Sequence, residues 1–268
     1  SNLKLDIMKN LIFFCIVIIT ISCNSNVKPT PKMPGAYFMI SQTINDGKKD
    51  TKLTDLKQLK IYTGDMMMYT QVNPSDSVSG FGLGSYSADT GTVIENVIYS
   101  AADTTINTPR SYNLNITTSP EGYTQVIPEI LVGTQKSKLT EEYQAVGKAQ
   151  TTPLDGVWRE TDFYIVKGTD TTRSQRTQYK AFYAGYFMYG HTLKDSANKT
   201  FTGVGFGTFE MNGKDKIKEI DLNSTYSIAV GQSFNIGVEI SDADHYKQTI
   251  VSTTDGSKSV EFYERVKK

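Results

Sequence analysis

The stretch Gly203-Val204-Gly205-Phe206-Gly207-Thr208-Phe209 decides the fold, because it restates Gly80-Phe81-Gly82-Leu83-Gly84-Ser85-Tyr86. Other pairs stand at the same separation. Gly35-Ala36-Tyr37 matches Gly156-Val157-Trp158, Ser111-Tyr112-Asn113-Leu114 matches Ser233-Phe234-Asn235-Ile236, and Tyr123-Thr124-Gln125 matches Tyr246-Lys247-Gln248. An offset of roughly 120 residues is the size of a domain and far above a solenoid period. The chain reads as two copies of one small domain.

The glycine string is not a phosphate loop. Such a loop needs a strand before it, a helix after it and free N–H groups at the helix start. Here the glycines alternate with Val204 and Phe206 and run toward the hairpin signal Asn212-Gly213. A strand face stripped of side chains allows sharp curvature or leaves room beside it. Further hairpin signals stand at Asp46-Gly47, Thr90-Gly91 and Asp255-Gly256. Helical spacing is confined to Leu53, Leu56 and Leu59; the rest alternates with period two, which indicates a sandwich or an up-and-down barrel.

Residues 178–191 read as one strand whose odd positions face inward: Tyr179, Ala181, Tyr183, Gly185, Phe187, Tyr189 and His191. Gln178 and Lys180 then face outward. The first copy keeps this parity, with Gln58 and Lys60 outside and Leu59, Ile61, Met67 and Tyr69 inside. The even face turns apolar at Phe182, Tyr186 and Met188, so part of it is covered as well.

Ahead of the copies, Met8-Lys9-Asn10 gives a basic start and residues 11–21 an unbroken apolar run. That run of about eleven residues is short of the ~20 that span a bilayer and suits a signal peptide. Ser22-Cys23 at its end resembles a lipoprotein cleavage site, with Cys23 as the lipid attachment point. Five segments follow: a signal peptide at 1–23, a proline-rich flexible tether at 24–34, a first domain at 35–147, a linker at 148–153 and a second domain at 154–268. With Cys15 removed and Cys23 acylated, no thiol is left for a disulfide or a nucleophile. The 268 residues hold 28 Lys and Arg against 28 Asp and Glu. No basic field gathers phosphates, so nucleic acid is excluded as a partner.

Gly156-x-Trp158 early in the second copy and Arg265 in its last strand resemble the lipocalin-like, or calycin, superfamily. The resemblance extends over Tyr186 to Tyr189, Thr202 to Phe209, Lys218 to Ile220 and Glu261 to Val266, and is closest to lipocalin-like domains of unknown function in bacterial envelope lipoproteins. It implies an all-β chain of two tandem antiparallel β-barrels. Gly156, Trp158 and Arg265 would close one barrel end, the guanidinium stacking on the indole. The first copy departs, with Tyr37 for the tryptophan and Ala145 for the arginine.

The candidate ligand-binding residues are Tyr179, Tyr183, Phe187, Tyr189, His191 and Glu219, all in the second barrel. Tyrosines with one inward carboxylate would line a chamber and orient a ligand's polar end. Glu95 matches Glu219 in the first copy. Asp242-Ala243-Asp244-His245 offers too few donors for calcium or zinc, so no metal and no other cofactor is expected. The expected function is binding of a small, mainly apolar ligand without catalysis, by a protein exported to the cell envelope and held to the membrane through its N-terminal lipid. Two other readings stay open. One is a structural or interaction module with solid barrels that docks another envelope protein. The other is an enzyme using Glu219 and a tyrosine for acid–base chemistry.

Overall fold

The computed structural model describes residues 30–72, 79–101, 110–132, 134–148, 150–194 and 199–268. The signal peptide, Cys23 and the tether before residue 30 lie outside the described residues. The first copy forms β1 Gly35–Asn45, β2 Asp50–Leu53, β3 Lys57–Tyr62, β4 Met66–Val72, β5 Gly80–Asp89, β6 Thr92–Ser100, β7 Arg110–Ser119, β8 Gly122–Val132 and β9 Gln135–Val146. The second forms β10 Gly156–Lys167, β11 Asp170–Arg173, β12 Thr177–Tyr183, β13 Tyr186–Lys194, β14 Thr200–Met211, β15 Lys216–Ser224, β16 Ser233–Ile240, β17 His245–Val251 and β18 Lys258–Arg265.

Each copy is an antiparallel meander that closes on itself, β1 pairing with β9 and β10 with β18. The short β2 and β11 pair only with the outer ends of β1 and β10. The protein is therefore all-β, two closed eight-stranded antiparallel barrels in tandem. Both glycine strings curve their strands at a bulge, between Leu83 and Gly84 and between Phe206 and Gly207. There a Cβ would lie 2.0 Å from the Asn96 carbonyl oxygen or 1.8 Å from that of Ile220, so neither bulge accepts a side chain.

The expected parity fails on β12 and holds on β13. The two strands are joined by a two-residue turn at Ala184 (φ 54°) and Gly185 (φ 79°), the twist-matched hairpin geometry. Directly opposed residues share a face, so Gln178 sits with His191, Lys180 with Tyr189 and Phe182 with Phe187. Inside the barrel are thus the even positions of β12 and the odd positions of β13. The first copy repeats this, Gln58, Lys60 and Tyr62 pointing inward and Leu59 and Ile61 outward.

Those outward residues are buried because the barrels pack on each other. Leu59, Ile61 and Met68 of one barrel form a single cluster with Ala181, Met188 and Phe206 of the other. Tyr179 belongs to this seam, its ring 5.1 Å from Tyr99, and Tyr183 packs at its edge. Phe81 lies flat on Gly190, where a Cβ would sit 2.2 Å from its ring. Each barrel also has its own interior, with Tyr37, Tyr62, Tyr123 and Met67 in the first and Trp158, Phe182, Phe187 and Tyr246 in the second.

Candidate functional site

Both barrels carry the same polar ladder across the interior. In the first, Lys60 Nζ stands 2.6 Å from Glu95 Oε1, both side chains almost wholly buried. Lys60 also donates to Gln125 (3.3 Å), Gln125 donates to Glu141 (2.5 Å), and Tyr143 donates to Glu141 (3.0 Å). Gln58 completes the set by donating to the Tyr143 hydroxyl (2.7 Å). In the second barrel Lys180 pairs with Glu219 (2.6 Å) and donates to Gln248 (3.2 Å), while Gln248 and Tyr263 donate to Glu261 (2.6 and 2.5 Å). Gln178 donates to Tyr263 (2.5 Å). Buried charges survive only when paired and fully bonded, and here each group supplies its neighbour's partner.

Sequence reasoning placed Gln58, Lys60, Gln178 and Lys180 on the outside because polar residues ordinarily are. The signal was present: Gln58-Leu59-Lys60 recurs as Gln178-Tyr179-Lys180, and Glu141-Glu142-Tyr143 as Glu261-Phe262-Tyr263. A surface pair has no reason to keep that spacing twice.

The ladder of the first barrel is the floor of a cavity of about 350 Å³. Lys60, Glu95, Gln125 and Glu141 form its polar base, and Ile98, Ile127, Ile130 and Leu139 its aliphatic rim. Tyr69 reaches in from β4; burial pushes its phenol up to about 12, so it stays neutral, bonded to the Ser100 hydroxyl. This cavity lies in the first barrel, whereas the candidate binding residues named from sequence belong to the second.

The second barrel caps its ladder with its own side chains, and an opening of about 830 Å³ lies beyond them, lined by Glu160, Asp162, Phe163, Arg176, Thr192 and Leu193. Arg176 bonds Glu160 (2.7 Å) and Glu261 (2.9 Å), and its guanidinium lies 3.9 Å above the Phe163 ring. At the same end Tyr226 covers His191, hydroxyl to Nε2 at 2.7 Å. Burial lowers His191 to about 4, so its ring is neutral. The glycines of β14 make room for these groups, since a Cβ on Gly203 would meet His191 and one on Gly205 the Tyr189 ring.

Of the candidate residues, Phe187, Tyr189, His191 and Glu219 do come together inside the second barrel. Tyr189 bonds Ser224 at 2.9 Å. Tyr179 and Tyr183 do not join them; the Ala184-Gly185 turn sends them to the seam. Burial raises the Glu219 carboxyl, against the lowering effect of Lys180. His245 lies exposed, Nδ1 3.0 Å from Asp242.

Gly156, Trp158 and Arg265 meet as expected. The guanidinium stands 4.1 Å over the indole and donates to the Asp155 (2.5 Å), Pro153 (3.2 Å) and Ala243 (2.7 Å) carbonyls. At Gly156 a Cβ would strike Arg265 Nη1 at 2.1 Å. Trp158 Nε1 donates to the Leu154 carbonyl at 2.7 Å, and Tyr37 donates to that of Met33 at 2.9 Å. Met33, assigned from sequence to the tether, is buried and belongs to the base of the first barrel. An aromatic plug anchored four residues back is thus common to both copies, and the arginine cover is confined to the second.

The fold and its interior define a tandem barrel protein whose first barrel holds a polar-floored cavity. No family model matches the chain, and no curated protein does. Among solved structures, the chain is similar to a protein of unknown function of the DUF3598 family from Nostoc punctiforme PCC 73102. The identity is 13% and the TM-score 0.27, over 87% of this chain and 96% of that one. It is also similar to a double mutant of the vaccine antigen transferrin-binding protein B from Haemophilus parasuis Hp5. There the identity is 11% and the TM-score 0.26, over 84% of this chain and 56% of that one.

Proposed function

We propose that this is a lipid-anchored, lipocalin-like protein of the bacterial cell envelope that binds a small amphipathic molecule in its first barrel, without catalysis. The anchoring and export rest on the signal-like run and Cys23. The binding rests on the cavity of about 350 Å³, which sets the aliphatic side chains of Val97, Ile98, Ile127, Ile130 and Leu139 against the fixed polar groups of the ladder; apolar walls with converging polar groups mark ligand sites. Glu219, the acid–base residue of the catalytic reading, is tied to Lys180 in the other barrel. The test is displacement of a neutral fluorescent probe, N-phenyl-1-naphthylamine, from purified protein. Ile127→Trp, which fills the rim, should abolish the signal; unchanged probe binding by that variant would refute the assignment.

The docking alternative has support of its own. At the end of the second barrel Ile228 is 84% exposed, with Val230 and Phe201 also open to solvent. Ile228→Ser should then remove a cross-link to an envelope partner in intact cells, and an unaltered cross-linking pattern would count against docking there.

A further inference from the structure

The two ladders differ at Glu95, which takes the Tyr62 hydroxyl where the second barrel has Phe182, and they differ in charge around the other carboxylate. In the second barrel Glu261 receives a guanidinium from Arg176, which is stacked on Phe163 and shared with Glu160. In the first barrel the matching carboxylate is Glu141; strand register gives Gln42 for Phe163, and Leu56 precedes Gln58 as Arg176 precedes Gln178. Among the described residues, the donors that reach Glu141 are Gln42 (2.9 Å), Gln125 and Tyr143, all neutral. Lys60 is committed to Glu95 and Gln125. Arg110 stands exposed at the rim and is itself engaged. The cavity opens beside Glu141, where the second barrel has placed a cation of its own.

We propose that the first barrel's ligand carries a cationic nitrogen group, ammonium or guanidinium, on an apolar body, and that this group sits against Glu141 as Arg176 sits against Glu261. The inference rests on the reading of that cavity as a ligand site. The aliphatic rim takes the apolar body, and Glu141 supplies the charge that Arg176 meets in the other copy. A carboxylate ligand placed there would meet the Glu141 charge and be repelled, Glu95 being already paired with Lys60.

The experiment compares octylguanidinium, octanol and octanoate as competitors of N-phenyl-1-naphthylamine on the full chain. Octylguanidinium should compete about tenfold better than octanol, the gain of one charge-assisted contact, and octanoate worst. Glu141→Gln should erase the preference and keep octanol binding. Gln42→Arg, which supplies a cation within the chain, should weaken octylguanidinium about tenfold and leaves a test if Glu141→Gln does not fold. Equal competition by octylguanidinium and octanol, or a preference untouched by both variants, overturns the cationic ligand and leaves the cavity assignment standing. Failure of the naphthylamine and of every octyl compound to bind sinks the two together.

Discussion

At the scale of single residues, the second barrel shows what a buried charge requires. Arg176 compensates Glu160 and Glu261 at once, so Arg176→Ala should destabilise by about 3–5 kcal/mol, the cost of stranding buried charge. Denaturant melts would measure it, and free methylguanidinium should restore part of the loss. Asp221 is the opposite case, a carboxylate where the first barrel has Val97. Burial, and then the Glu219 charge, pushes it up to about 7. The folded chain therefore keeps a proton that the unfolded chain has released. Its contribution is whole below the ordinary carboxylate range and declines as pH rises to about 7. Asp221→Val should raise stability near pH 8 by at least about 1 kcal/mol and change it little near pH 4. Thermal melts at the two pH values check this. His191 works in the other direction: its pKa falls to about 4, so stability is lost as pH drops from the ordinary histidine value. His191→Gln, the residue at Gln71, should flatten that acid limb.

At the scale of elements, one hairpin turn decides which side chains meet a ligand. Ala184 and Gly185 reverse the chain in two residues, which exchanges the inner parity between β12 and β13. Reading residues 178–191 as one strand necessarily inverted half of it, because a one-residue change of phase swaps every side chain to the other face. The bulges at Gly84 and Gly207 are as specific. Gly207→Ala would drive a methyl into the Ile220 carbonyl and should cost more than about 2 kcal/mol. Chemical denaturation would show it, and a neutral result would mean the strand can straighten without loss.

For the whole molecule, the seam matters most. The barrels meet through matching strands, β3 to β5 of one against β12 to β14 of the other. The same outer face serves both copies, as in the isologous interface of a two-fold dimer. Residues 30–147 expressed alone should therefore self-associate, and light scattering would give the mass; a stable monomer would show that this face tolerates water. Gly190→Leu should separate the barrels by displacing Phe81. Limited proteolysis within residues 148–153 would accelerate if it does.

The duplication, the strand class and the aromatic plug were legible in the sequence because each is a local pattern: fixed spacing, period two, Gly-x-Trp with a late arginine. The polar ladder was not, since Gln178 and Lys180 look like surface residues until Glu219, Gln248 and Glu261 are brought across the barrel to meet them. The stacking of Arg176 over Phe163 was equally hidden, a contact between strands that no spacing along the chain records. Sequence alone determined the strand class and how many times the domain is written. Barrel closure decided which faces are interior, because only closed pairing supplies the distant partners that let charge be buried.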